Sequence, residues 1–198
     1  MNATLSDRQN QILAISVGII HTSGIQGFTI KSLSNAIGFT EAAIYRHFKS
    51  KNEILCAILD MFILKLKKFA LTVKGSQISS FEKIKMVYDK LSSVFTEKPA
   101  YVSVIFAEEI FKNNASLSKK VGKILELNNN AFKEIIEDGQ KNNEITKDIE
   151  SEELTLVVMG AFRLLVKNWK MRDFSFELKA KADKLYLSIE TLLKSERK

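Results

Sequence analysis

Cysteine, proline, glycine and histidine are all scarce in this chain of 198 residues, which has one cysteine, one proline, eight glycines and two histidines. The lone Cys56 can form neither an internal disulfide nor a metal site, and its apolar neighbours predict a core position in a reducing compartment. Because proline and glycine interrupt helices, their scarcity favours a helical protein.

Long apolar runs are missing too. The longest apolar stretch, residues 154–166, is broken by Arg163 and is shorter than the roughly 20 residues that span a bilayer. No charged, then apolar, then small-residue leader opens the chain. We therefore expect a soluble cytoplasmic protein that has no membrane partner.

Charge is distributed unevenly along the chain. The formal net charge is +7, and the first 75 residues hold nine basic and four acidic side chains, which is most of the excess. A basic segment attracts phosphate polyanions, but it suits a membrane surface or simple solubility equally well. Charge alone therefore does not identify the partner.

Apolar spacing predicts an all-α protein with about nine helices and no convincing strand. The first helix is expected over about residues 7–23, with Gly24 as its stop. The second begins at Thr29 and is closed by Gly38, and Thr40 caps the third. Two short helices joined at a glycine thus follow one longer helix.

The fourth helix is predicted to begin at an S-x-x-E capping box. In this box Ser50 and Glu53 each satisfy the other's backbone amide, and the apolar series then continues to about residue 69. Further helix starts are signalled by Ser79 with Glu82, by Pro99, by Ser116 and by Ser151.

Residues 29–51 read TIKSLSNAIGFTEAAIYRHFKSK and have the parts of a helix-turn-helix. Gly38 supplies the backbone freedom that the turn requires. A small shared core is expected from Ile30, Leu33, Ile37, Ile44 and Phe48. With those side chains buried, the opposite side of the third helix is free to approach DNA bases, while Thr29, Tyr45, His47 and Lys51 suit contacts to phosphates.

The stretch GFTIKSLSNAIGFTEAAIYRHFKSKNEIL, residues 27–55, resembles the tetracycline-repressor (TetR) family of bacterial transcriptional regulators. The glycine-aromatic-threonine opening, the A-x-G turn and the A-I-Y-R-H-F-K-S-K run occur together at the family's spacing. The resemblance implies that Thr29 and Lys31 lie near phosphate. It implies that bases are contacted by Thr40, Glu41, Ala42, Ala43 and Arg46, and the DNA backbone by Tyr45, His47 and Lys51.

Two positions depart from the family's usual residues. Phe39 stands where a smaller aliphatic residue is more common, and Glu41 where a neutral or basic residue is more common. Because an acidic side chain repels phosphate, Glu41 either accepts a hydrogen bond from a cytosine amino group or caps the helix, and we favour capping.

The resemblance also implies an organisation for the whole chain. A helix-turn-helix domain is expected over residues 1–50, and a helical ligand-binding and dimerisation domain over residues 51–198. The expected function is that of a DNA-binding repressor, a homodimer on a palindromic operator that is released by a small apolar effector. Residues 160–169 also look like the family's penultimate helix.

The last two helices carry the expected dimer interface. The first of these helices is apolar on nearly every side. In the second, apolar residues recur at alternating intervals of four and three residues, which is the pattern of paired helices. The interface residues are predicted to be Val157, Ala161, Leu164, Leu178, Ala182, Leu185, Ile189 and Leu192. The alternative is that both helices pack inside one subunit.

A ligand pocket is expected among aromatic residues of the fifth to eighth helices. The expected lining is Tyr88, Phe106, Glu109, Asn128, Phe132, Phe162 and Trp169. Asn128 and Glu109 are polar residues on otherwise apolar helix sides, so either could orient an effector. The alternative is that these aromatic side chains form an ordinary filled core.

Nothing in the sequence supports an enzyme. It has no glycine-rich phosphate loop, metal-ligand cluster or nucleophile elbow, so we expect no catalytic residue, no metal and no cofactor. Two alternatives to the effector-controlled regulator remain, a helical adaptor that only binds other proteins and a regulator that needs no ligand.

Overall fold

The computed structural model describes residues 5–107 and 114–194, and within these ranges the chain forms nine α-helices and no β-sheet. In chain order the helices are α1 (Asp7–Gly27), α2 (Ile30–Ile37), α3 (Glu41–Tyr45), α4 (Lys51–Gly75), α5 (Ser80–Glu97), α6 (Pro99–Ile105), α7 (Ala115–Lys141), α8 (Ser151–Met171) and α9 (Leu178–Leu193). The all-α prediction is confirmed. No helix in the described ranges is long and apolar enough to cross a membrane.

Helix α1 extends one turn beyond its expected end. Gly24 has φ +67° and ψ 178°, which interrupts the helix as predicted. Helical structure then resumes through Gly27, because the apolar side chains of Ile25 and Phe28 return the chain to the core, where they are 5% and 0% exposed. The sequence located the kink but not the turn that follows it.

Helices α2 and α3 are capped as their sequences predict. The Thr29 hydroxyl accepts from the Ser32 amide and the Ser32 hydroxyl accepts from the Thr29 amide, both at 2.9 Å. Gly38 closes α2 in the left-handed conformation, with φ +75°, and the Thr40 hydroxyl accepts from the Ala43 amide at 3.2 Å. Helix α3 has only five residues.

The start of α4 differs in detail from the predicted capping box. The Ser50 hydroxyl accepts from the Glu53 amide at 3.2 Å, as expected. The Glu53 carboxylate, however, accepts from the Lys49 amide. The reciprocal bond is therefore made one residue earlier than predicted. At the start of α5, by contrast, Ser79 and Glu82 form the complete reciprocal pair.

The chain divides into two compact units, each with its own core. Unit 1 is the described part of Met1–Ile63 and Lys98–Gly122, and unit 2 is the described part of Leu64–Glu97 and Lys123–Lys198. The core of unit 1 includes Ile12, Ile20, Phe28, Leu33, Ile44, Phe48, Ile54, Phe62 and Tyr101. The core of unit 2 includes Ile84, Tyr88, Phe132, Ile136, Val158, Phe162, Val166, Trp169, Leu178 and Ile189.

A close backbone approach in unit 2 requires the glycine at position 139. The chain turns back after α7, and the amides of Glu144 and Ile145 both donate to the Gly139 carbonyl, at 2.8 and 3.1 Å. A Cβ at Gly139 would lie 2.7 Å from Ile145 Cδ1 and 2.9 Å from Ser80 Cβ. The turn and the start of α5 can therefore pack here only against a residue without a side chain.

We predict that Gly139→Ala lowers the free energy of unfolding by about 1–3 kcal/mol, the usual cost of inserting a group into a packed region. Gly122→Ala is the matched control in the same helix, because a Cβ there meets nothing within 4 Å. The control should gain about 0.5–1 kcal/mol through helix propensity. Urea denaturation followed by circular dichroism measures both. Equal stability of the two variants would contradict the packing argument.

Candidate functional site

The side chains predicted to contact DNA lie at the start of α2, on α3, in the turn that follows it and, for Lys51, at the first residue of α4, all in unit 1. The exposed ones are Thr29, Lys31, Thr40, Glu41, Ala42, Tyr45 and Arg46, while Ala43 and His47 are half-buried. Helix α3 buries Ile44 completely, and Phe48 after it is 3% exposed. Burial of these two side chains leaves the opposite side of α3 open to solvent.

Glu41 is the first residue of α3, and Thr40 is the residue that caps it. The capping hydroxyl is therefore that of Thr40, whereas Glu41 adds a negative charge in the first turn, where the helix dipole favours one. The side-chain cap of α3 is thus Thr40 and not Glu41, which corrects the expectation that Glu41 caps the helix. Its exposed carboxylate is in the part of α3 predicted to meet bases.

Two residues of α1 that sequence reasoning missed brace this region. The Arg8 guanidinium lies 4.5 Å from the centre of the Phe39 ring, and Gln9 Nε2 donates to the His47 carbonyl at 3.4 Å. The cation–π contact gives Phe39 a partner at the position where its aromatic ring departs from the usual family residue. Pairs so distant in the sequence leave no local signal.

Lys51 is engaged within unit 1. Its Nζ donates to the Ile25 carbonyl at 2.6 Å and lies 5.6 Å from the centre of the Phe28 ring. Burial lowers the pKa of the Lys51 ammonium group from its ordinary value. The group expected to contact phosphate is thus already bonded to the protein backbone.

The aromatic residues predicted to line a pocket are instead packed in the core of unit 2. Tyr88 stacks on Phe162 with ring centres 4.6 Å apart and meets the edge of Phe132 at 6.1 Å, and its hydroxyl donates to the Val158 carbonyl at 2.6 Å. Trp169 Nε1 donates to the Phe176 carbonyl at 2.8 Å. Their rings fill space, so the expectation of an aromatic pocket is corrected at these positions.

The remaining predicted pocket residues lie elsewhere. Phe106 caps the end of α6 in unit 1 and is half-buried. Glu109 falls outside the described residues. Asn128, on α7, is half-buried and lines a cleft in unit 2.

This cleft has a volume of about 440 Å³ and is formed by the second half of α4, by α5 and by α7. Its apolar lining is mainly aliphatic and consists of Leu66, Phe69, Ala70, Leu71, Val73, Val87, Leu91, Leu127, Ala131 and Ile135. Phe69 is the one aromatic side chain among the described residues that line it. The cleft is within the size range of small-molecule sites in proteins.

Charged groups also line the cleft. Lys74 Nζ lies 2.9 Å from the Glu134 carboxylate, which raises the pKa of the lysine above its ordinary value through a hydrogen bond and charge. Lys83 Nζ lies 3.9 Å from Asp138. Lys67 is exposed and forms no ion pair with any residue that the structure describes. The cleft therefore combines an aliphatic wall with the ammonium group of Lys67, which is unpaired within the described ranges.

The predicted dimer residues separate into three groups, which are buried, half-buried and exposed. Leu178, Ala182 and Ile189 are 1–2% exposed within a single chain, so they belong to the core of unit 2. The prediction that these three residues lie in the dimer interface is therefore corrected. Ala161 and Leu185 are half-buried. The large apolar residues of α8 and α9 that are exposed are Leu156, Val157, Leu164, Met171, Leu187 and Leu192, with 46–71% exposure.

Comparison with known proteins gives consistent matches along the chain. Residues 12–58 match the family described as bacterial regulatory proteins, tetR family, and residues 58–191 match the TetR_C_4 family, described as YsiA-like protein, C-terminal region. The nucleoid occlusion factor SlmA of Haemophilus ducreyi is 23% identical over 124 residues, which are 62% of this chain and 61% of that protein. The chain thus spans about three-fifths of that relative's length.

Solved structures share the fold. The fatty acid degradation regulator FadR from Bacillus halodurans superimposes with a TM-score of 0.79 at 16% identity, covering 94% of this chain and 96% of that chain. FadR from Bacillus subtilis in complex with stearoyl-CoA gives 0.71 at 23% identity, covering 96% and 99%. Because the C-terminal family match alone covers more than half of the chain, the protein belongs to the TetR family of bacterial regulatory proteins.

Proposed function

We propose that this protein is a DNA-binding transcriptional regulator that represses by occupying a palindromic operator. The observation that carries the proposal is the exposed side of α3, where the small side chains Ala42 and Ala43 lie between the Thr40 cap and Arg46. Small residues let a helix approach base edges closely, and an arginine can bond to guanine through two hydrogen bonds. Residues 1–50 would form the DNA-binding domain and residues 51–198 the regulatory domain.

Thr29, Lys31, Tyr45 and His47 would hold phosphates on either side of this helix, which fixes its register without reading the bases. Bases would be read by Thr40, Glu41, Ala42, Ala43 and Arg46. Lys51 would add a contact to the DNA backbone through the ammonium N–H donors that its bond to the Ile25 carbonyl leaves free.

The regulator would act as a homodimer that pairs through α8 and α9. Leu156, Val157, Leu164, Leu187 and Leu192 leave large apolar side chains in solvent on these two helices, and burial against a second copy would remove them from water. A symmetric pair places two copies of α3 in successive major grooves, roughly 34–36 Å apart, which requires a palindromic site.

The effector would bind in the cleft of unit 2 and carry an aliphatic portion. The walls are almost entirely aliphatic, and Lys67 offers a positive charge to an anionic group beside them. The FadR structure from Bacillus subtilis holds stearoyl-CoA, a molecule with both features. The effector would favour a dimer in which the two α3 helices no longer match the groove spacing, and so release DNA.

Other functions have less support. A protein-interaction adaptor would not need the exposed α3 side chains, and a ligand-independent regulator would not need the cleft. We propose no catalytic role, because the family and fold are those of transcriptional regulators. The cytoplasmic location expected from the sequence stays a prediction.

The first prediction of this proposal concerns Arg46. Arg46→Ala should lower the affinity of the dimer for a selected operator by roughly 30-fold or more, because two base contacts are lost and each contributes about 1–3 kcal/mol of discrimination. Arg172→Ala, a change of the same exposed residue type in unit 2, should leave the affinity unchanged. Fluorescence anisotropy with the operator and a scrambled duplex measures both. Equal loss in the two variants would contradict a reading role for Arg46.

A second prediction concerns the dimer. Leu164→Glu should convert the protein to a monomer, because a charge would be buried in the interface without a partner. Leu64→Glu is the matched control, since both leucines are 58% exposed and only Leu164 lies on α8. Analytical ultracentrifugation gives the mass of each variant. A dimeric Leu164→Glu protein would place the interface elsewhere.

A third prediction concerns the effector. Stearoyl-CoA should raise the melting temperature and weaken operator binding by roughly 5- to 150-fold, the usual range of allosteric coupling, whereas coenzyme A without the acyl chain should do neither. Ala131→Trp would fill the cleft and abolish both effects, and Ala115→Trp, at the exposed start of the same helix, would preserve them. Binding that leaves operator affinity unchanged would exclude the proposed switch.

A further inference from the structure

The first turn of α1 lies beside both ends of the short helix α3. The Arg8 guanidinium is 4.5 Å from the centre of the Phe39 ring, and Phe39 directly precedes the Thr40 cap of α3. At the other end, Gln9 Nε2 donates to the His47 carbonyl at 3.4 Å. Two neighbouring residues of α1 thus contact the segments that precede and follow α3.

The positive charge of Arg8 has no protein partner of opposite charge in the ranges 5–107 and 114–194, and the side chain is exposed. Its Nη1 donates to the side-chain oxygen of Gln11 at 2.7 Å, but a guanidinium has five N–H donors, so this bond leaves most of them for another partner. The helix dipole favours negative charge in the first turn of a helix, where Arg8 lies. The charge therefore does not stabilise α1, and it is open to an anionic partner.

The surroundings of Arg8 suit a phosphate as that partner. The cation–π contact holds the guanidinium over Phe39 by its charge, and a phosphate can accept two of the N–H groups side by side. When a recognition helix lies in the major groove, the DNA backbone passes along the edges of that groove, where flanking parts of the protein contact it. An exposed arginine beside the residue that precedes α3 is therefore well placed for such a contact.

We propose that Arg8 contacts the DNA backbone, with its guanidinium held over the Phe39 ring and donating to a phosphate at the edge of the groove that receives α3. Phe39 is the positioning residue for this contact, which gives a role to an aromatic ring where a smaller aliphatic residue is more usual. Because Phe39 adjoins Thr40, the contact would also fix the start of α3 against the duplex. The inference rests on the proposed DNA-binding function.

The salt dependence of operator binding measures this contact. Each phosphate contact adds about 0.9 to the slope of log affinity against log salt, so a dimer that loses two contacts should lose about 1.8. Arg8→Met keeps an apolar side chain against Phe39 and removes the charge, so it should lower the slope by this amount. Its loss of affinity should be about 3.5-fold greater at about 0.1 M salt than at twice that concentration.

Two further variants show whether the slope reports the charge of Arg8. Arg8→Lys keeps a positive charge that can bind phosphate as a point charge, and should recover most of the wild-type slope. Arg172→Met is the matched control, because it removes an exposed arginine from unit 2, and should leave the slope unchanged. All affinities are measured by fluorescence anisotropy on the full-length protein. Concentrations are corrected for the DNA-binding fraction, so that lower stability is not mistaken for lower affinity.

A double-mutant cycle tests whether Phe39 positions Arg8. Phe39→Leu removes the ring and introduces an aliphatic residue of the kind more usual at this position. Arg8→Met should then cost roughly threefold less affinity, or an even smaller loss, in the Phe39→Leu protein than in the wild type, because contacting residues that act together are not additive.

Three outcomes would overturn the proposal. These are a wild-type slope for Arg8→Met, a slope for Arg8→Lys as low as that of Arg8→Met, and additive effects of Arg8→Met and Phe39→Leu. Absence of specific binding by the wild-type protein would instead refute the proposed function.

Discussion

Burial of Ile44 is the constraint on which the DNA-binding arrangement depends. Helix α3 has five residues, far fewer than the roughly 12–15 that an isolated helix needs to be even marginally stable in water. It is held by the Thr40 cap at one end and by the completely buried Ile44 near the other. Because these two anchors fix its rotation, the side chains that remain exposed are defined by the core beneath them.

The same principle applies to the segment between α1 and α2. Gly24 breaks the helix, and a break leaves polar backbone groups that must be satisfied by other parts of the chain. Ser32 and Lys51 supply the donors, and Phe28 supplies the apolar anchor. Unit 1 therefore positions its exposed residues through buried bonds made by residues that are distant in sequence.

Local signals in the sequence predicted local structure well. The caps at Thr29 and Thr40 and the left-handed turn at Gly38 depend on residues within four positions of one another, and each is present. The role of Lys51 could not be predicted in this way, because its partner, the Ile25 carbonyl, is 26 residues away and any residue type would offer the same group. The sequence assigned Lys51 a phosphate contact, and its bond to Ile25 is an additional contact within the protein.

Apolar patterns were informative about burial but not about what buries each side chain. The seam of α9 contains Leu178 and Ile189, which face the core, and Leu192, which is 70% exposed, although all three fit one spacing. Tyr88 and Phe132 likewise fill a core, whereas the cleft is lined by aliphatic residues such as Val73 and Leu91. A sequence pattern gives the period of a helix face, and only tertiary packing decides between a core, a cleft and an interface.

The chemistry of the cleft limits how an effector could drive a switch. Moving an equilibrium from 1:99 to 99:1 requires about 5.5 kcal/mol of differential binding. The Lys74–Glu134 pair is solvent-exposed, and the Lys83–Asp138 pair is at the limit of contact distance. Neither pair is therefore a strong source of differential binding free energy. Burying about 200 Å² more aliphatic surface in one dimer state than in the other, at about 25 cal/mol per Å², would supply about 5 kcal/mol. The aliphatic wall, more than the charges beside it, is therefore the part of the cleft that could control DNA binding.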